Sequence, residues 1–195
     1  MDVTPRSSRL WLVRHAAPLV APGTCYGALD VPADAEATRI AAERLAIALP
    51  TRAPVFCSTL QRCEQLALAI QALRPDLASN PDTRLREMDF GAWEGRAWNA
   101  IAHSDVDAWV AAFATHAPGG GENLASVLQR VSSALQAARQ WSTDHGAADV
   151  VWITHAGVAR CVAWLEHHGP GAMPRSEDWP VAAPAWGDWE IRDLA

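Results

Sequence analysis

Lysine is missing from this 195-residue chain: all 16 basic residues are arginine. Chemistry that needs an ε-amine is therefore closed to it, including the P-loop motif, lysine Schiff bases and pyridoxal catalysis. Arginine stays charged at any working pH and offers a planar fork of donors suited to phosphate, although most of the 16 read as compositional bias. Long apolar runs are also missing; none approaches the roughly 18–20 residues a membrane span requires. There is no basic excess either. The formal charge is −6, which argues against a general nucleic-acid binder. The opening MDVTPRSSRL lacks the apolar stretch of a secretory signal, so a cytoplasmic location is expected. Paired C-x-x-C spacing is absent, and Cys25, Cys57, Cys63 and Cys161 read as reduced, buried thiols.

What is present suits one folded domain over residues 1–195, with residues 1–8 polar and frayed. Half the residues are hydrophobic and 19% are charged, a globular composition with enough chain for a sizeable core. Residues 9–14 read as a short buried strand, 34–48 as a helix ending before Pro50, and 54–58 as a second strand. An amphipathic helix follows over 59–73. Residues 82–95 read as a strand with a turn at Gly91, 96–116 as irregular helix, and 122–144 as the longest helix. The strongest strand signal covers 149–154, a helix spans 157–167, and DWEIR at 188–192 reads as an edge strand. Strands alternating with helices predict an α/β domain of three layers, its central sheet mostly parallel and helices on both faces. The ten tryptophans read mainly as core anchors, and the Trp- and Pro-rich tail over 179–189 packs on its own sheet or on a partner.

Two buried-looking runs end in histidine: LWLVRH at His15 and VVWITH at His155. In open parallel sheets, functional groups gather where strand C-terminal ends meet helix N-termini. Helix N-termini also supply unpaired amides and a partial positive charge. Arg14, His15, Arg62 and His155 would there form a cationic pocket in an acidic chain, and a phosphoryl group is its natural guest. An imidazole in line with phosphorus can act as nucleophile. One carboxyl group with a pKa near neutrality can then serve first as acid and later as base. Glu87 is the best candidate; Asp89 and Glu94 lie nearer the turn and read as solvated or structural. FCSTLQRC invites comparison with the cysteine loop of tyrosine phosphatases, but that loop places one more residue between Cys and Arg than the four separating Cys57 from Arg62. His167-His168 reads as a solvated helix end rather than a metal site, since adjacent helical residues diverge.

These residues carry a resemblance. Arg14-His15-Ala16, Ser58-Thr59-Leu60-Gln61-Arg62, LREMDFGAWEG over 85–95, PGGGEN before a long helix, and THAGVAR follow in order over roughly residues 9–165. Together they resemble the histidine phosphatase superfamily, also called phosphoglycerate mutase-like. The resemblance implies that His15 is the phosphorylated nucleophile and Glu87 the proton donor. It assigns Arg14, Arg62, His155 and the Ala156 amide to the phosphoryl oxygens, with no metal or organic cofactor. Ala16 stands where the family has glycine, and Pro18 where many members have threonine.

For the substrate, a small phosphate monoester is expected. CYGALDVP, with Tyr26 and Gly27 at the pocket mouth, resembles the α-ribazole phosphatase branch. A cap insert over about 93–120 would offer tryptophans for stacking on a nucleoside-like group. A catalytically silent phosphate-binding domain and a mutase-type phosphotransferase remain as alternatives, and a homodimer is possible.

Overall fold

The computed structural model describes residues 8–146 and 148–194. The expected frayed tail falls mostly on residues outside that range; Ser8 itself accepts a hydrogen bond from the Leu194 N–H at 2.9 Å. Five strands form one sheet: β1 (Arg9–Arg14), β2 (Val55–Cys57), β3 (Ser79–Pro81), β4 (Val150–Thr154) and β5 (Trp189–Asp193), in the order β3-β2-β4-β1-β5. The first four are parallel, and β5 closes one edge antiparallel to β1. The helices are α1 (Ala35–Ala48), α2 (Gln61–Leu73), α3 (His103–Ala111), α4 (Leu124–Asp144) and α5 (Ala156–His168).

Strand side chains alternate between faces, and both faces here are apolar. Leu10, Leu12, Val150 and Trp152 pack with Val131 of α4 and Val162 of α5. Trp11, Val13, Val151 and Ile153 pack with Leu45 of α1 and Leu66 of α2. That two-sided burial is why β1 and β4 read as unbroken hydrophobic runs. Asp34 starts α1 by accepting the Ala37 N–H at 2.7 Å, and Asn123 starts α4 by accepting the Ser126 N–H at 2.9 Å.

The strand expected over residues 82–95 is not there. Strand β3 ends at Pro81, and the Asp82 carboxylate accepts the Arg84 N–H at 2.9 Å, bending the chain into a short 3₁₀ turn over Thr83–Leu85. The buried positions after it, Leu85, Met88 and Trp93, lack the two-residue period of a half-buried strand. The segment is instead an irregular crossover that runs past the C-terminal end of the sheet. The tail packs on its own sheet: Gly187 N–H donates to the His15 carbonyl at 3.0 Å, and Arg14 N–H donates to the Asp188 carbonyl at 2.9 Å.

Candidate active site

Strand pairing makes neighbours of motifs far apart in sequence. β4 lies between β1 and β2, so the C-terminal ends of all three stand side by side. The His15 N–H donates to the Thr154 carbonyl at 3.1 Å, and the Ser58 N–H donates to the Ile153 carbonyl at 2.9 Å. The rings of His15 and His155 are 5.1 Å apart between centroids, close to the roughly 4.8 Å that separates adjacent strands.

His15 is buried, and its Nδ1 lies 2.7 Å from the Ala16 carbonyl oxygen. A carbonyl can only accept, so Nδ1 carries the proton and Nε2 the lone pair. Burial is the largest influence on its pKa, and the Arg62 and Arg14 charges act in the same direction. Together they push it down to about 3 against a partly opposing bond to Ala16. His155 is fully enclosed and held well below the usual imidazole range by burial, then by Arg62 and His15. Its Nε2 is 2.8 Å from Ser58 Oγ and 3.5 Å from Cys63 Sγ. Both imidazoles are therefore neutral near pH 7, and the fixed positive charge comes from the arginines.

Arg62 is sealed inside the protein. Its Nη1 donates to the Leu29 carbonyl at 2.9 Å and its Nη2 to the Gly27 carbonyl at 2.6 Å, while the Tyr26 ring lies 5.5 Å from its guanidinium carbon. Arg14 donates from Nη1 to the Pro184 carbonyl at 3.0 Å, with the Trp186 ring 5.3 Å away. In both arginines Nε is buried and has no hydrogen-bond partner among the described residues. A buried donor without an acceptor is costly, and two of them flank the imidazole expected to receive phosphorus.

The two candidate carboxylates separate cleanly. Glu94 accepts the N–H groups of Gly27, Ala28, Leu29 and Phe90 at 2.8–3.1 Å, so it is committed to holding the loop whose carbonyls grip Arg62. A Cβ on Gly27 would overlap the Met88 carbonyl, and this close approach is what glycine permits there. Glu87 lines the same cavity as His15. Its Oε2 accepts the Gly157 N–H in the first turn of α5 at 3.0 Å, and its Oε1 accepts the Met88 N–H at 3.2 Å. A Cβ on Gly157 would collide with Oε1. Residue 157 must be glycine for the carboxylate to stand against the helix end.

The cavity measures about 540 Å³, and Arg14, His15, Tyr26, Glu87 and Ala156 line it. Arg62 and His155 stand behind that lining, and Gly27 does not line it but acts through Arg62 and Glu94. Phe90, Trp98, Trp109, Phe113 and Trp179 also line the cavity, as does Arg160 of α5. Trp93 meets Trp98 and Trp109 edge-on at 6.2 and 5.9 Å. Sequence reading missed Arg160 and Trp179. Arg160 had a signal, since it lies four residues beyond Ala156 and so on the same helix face. Trp179 had none, because only tertiary folding brings the tail there. Cys57 is buried, its thiol pushed up to about 12 by burial, so no thiolate is available at that position. Among the described residues no group of three or more His, Cys, Asp or Glu side chains is arranged to hold a metal ion, and no helix is long and apolar enough to cross a membrane.

With that geometry in view, residues 10–183 match the sequence pattern of the histidine phosphatase superfamily (branch 1). The chain belongs to this superfamily. Similar solved structures from Thermus thermophilus include the protein TTHB049, at 32% identity over 86% of this chain and 89% of that one with a TM-score of 0.65. They also include a phosphoglycerate mutase, at 32% identity over 86% and 88% with a TM-score of 0.64. A mycobacterial glucosyl-3-phosphoglycerate phosphatase is 25% identical over 95% of this chain and 89% of that one, with a TM-score of 0.70. Among curated proteins none matches the chain. In this histidine phosphatase fold, the mostly parallel sheet brings the Arg14-His15 and His155 motifs together at the C-terminal ends of its adjacent strands β1 and β4.

Proposed function

We propose that the protein is a cofactor-independent phosphomonoesterase that works through a phosphohistidine on His15. The observation that carries this reading is a neutral imidazole, its Nδ1 proton fixed on the Ala16 carbonyl, set between two arginines whose buried Nε atoms have no partner among the described residues. His15 Nε2 attacks phosphorus; an N–P bond forms as the ester P–O bond breaks, and protonated Glu87 gives its proton to the leaving alkoxide. The Glu87 carboxylate then takes a proton from water, whose oxygen attacks phosphorus. The N–P bond breaks, inorganic phosphate leaves, and both side chains return to their starting states. Arg14 in the cavity lining and Arg62 behind it oppose the phosphoryl charge, and the first turn of α5 at Ala156 adds its partial positive end.

The aromatic walls favour an alcohol with a flat, apolar body. α-Ribazole 5′-phosphate is the named candidate, supported by the Cys25–Pro32 segment and by the tryptophans around residues 93–113. A mutase would have to retain a doubly phosphorylated intermediate, and a wall built from Trp98, Trp109, Phe113 and Trp179 is poorly suited to that charge.

Hydrolysis of p-nitrophenyl phosphate with and without chelator tests the reaction. We expect chelator-insensitive turnover that is abolished in His15→Ala, with acid-labile phosphorus trapped on residue 15. Equal inactivity of wild type and variant across a broad ester panel would instead mark a silent binding domain. Comparing kcat/KM for α-ribazole 5′-phosphate with sugar, nucleotide and amino-acid phosphates tests the substrate.

A further inference from the structure

Among the described residues Arg160 is a cation with no ion-pair partner. It sits in the second turn of α5, lines the His15 cavity, and forms no ion pair among the described residues. Its one hydrogen bond among them is from Nε to the Val181 carbonyl at 3.2 Å, which leaves both terminal nitrogens of the guanidinium unengaged. The only carboxylate in the cavity lining, among the described residues, is Glu87, and its two oxygens are taken by the Gly157 and Met88 N–H groups. Apart from Arg14, His15, Tyr26 and Ser176, the remaining side chains of the lining are apolar or aromatic. The Trp109 indole N–H in the same wall is also buried without an acceptor. Among the described residues the cavity lining thus has more donors than acceptors.

Residue 160 lies four residues beyond Ala156, which places it about 6 Å further along the helix axis. We infer that Arg160 is a specificity-determining residue that recognises a hydrogen-bond acceptor on the alcohol portion of the substrate, roughly one helical turn from phosphorus. A carboxylate there would form a charge-assisted, bidentate pair; a hydroxyl, ring nitrogen or amide oxygen would form a weaker neutral bond. The preferred ester is then a phosphate on an aromatic body whose far side carries an acceptor, and a purely hydrocarbon alcohol leaves Arg160 unanswered. This rests on the proposed function only in placing phosphorus at His15.

Non-hydrolysable phosphonates test it without requiring turnover. Calorimetry would compare benzylphosphonate with its para-carboxamide and para-carboxylate derivatives on wild type, Arg160→Met and Arg160→Lys. In wild type the carboxylate should bind about tenfold or more tighter than the plain compound, with the carboxamide between. Arg160→Met should compress the three affinities to within about twofold, whereas Arg160→Lys should keep the carboxylate preference. Thermal melts of both variants confirm folding. A spread that survives in Arg160→Met, or a wild type that does not favour the carboxylate, overturns the inference. Discriminating binding in a protein that hydrolyses no ester would overturn the phosphatase reading and leave the Arg160 inference standing.

Discussion

Protonation of His15 should be measurable as a loss of folding stability in acid. The imidazole titrates near 6.5 when exposed and near 3 in the folded protein, so between those values the unfolded chain binds the extra proton. Stability from this residue is fully present above about pH 6.5 and is lost as pH falls toward about 3. Each unit of separation is worth about 1.4 kcal/mol, so moving from about pH 7 to about pH 4.5 removes roughly 2.5 kcal/mol through His15 alone. His155 titrates in the same direction, which is why wild type must be compared with a variant that retains it. Urea unfolding of wild type and His15→Gln at both pH values isolates the difference. Wild type should lose about 2.5 kcal/mol more than the variant across that interval. Equal pH dependence of the two proteins, within about 0.5 kcal/mol, would show that the imidazole is not held neutral by its surroundings. The same neutrality has a catalytic consequence: an acid limb in kcat/KM near pH 6.5 would have to come from a group other than His15.

Glu87→Gln should lower kcat by about 10²–10⁴-fold with little effect on KM, and with an activated aryl phosphate it should let phosphoenzyme accumulate in rapid-quench experiments. Gly157→Ala should displace the Glu87 carboxylate, because the new methyl meets Oε1; kcat should fall while the thermal midpoint moves much less than in a core variant. Glu94→Ala should act on structure first. Four backbone N–H groups lose their acceptor, so urea unfolding should show a loss of about 1–3 kcal/mol. The loosened loop then releases Arg62, which should raise KM for any phosphate ester.

The sequence showed the sheet wherever burial was two-sided. Leu10–Val13 and Val150–Ile153 form continuous apolar runs because helices cover both faces, and such runs need no alternating pattern to be recognised. It failed over residues 82–95, where Leu85, Met88 and Trp93 are buried by an irregular crossover rather than a strand. Arg14, His15, Arg62 and His155 were legible because each sits at or just beyond the end of a readable strand. Sequence preferred Glu87 to Glu94 only by its distance from the turn; which N–H groups reach each carboxylate is a tertiary matter.

Residue order alone determined that Arg14, His15 and His155 stand at strand ends and Arg62 in the helix that follows a strand, because hydrophobic runs of that length must be buried and must stop somewhere. Tertiary structure decided the rest. Pairing β4 between β1 and β2 brought the rings to 5.1 Å, and burial beside arginine holds both imidazoles neutral. Close packing at Gly27 and Gly157 assigned one carboxylate to the loop and the other to the cavity. Such distances depend on contacts between segments about 60 to 140 residues apart, and no local pattern encodes them.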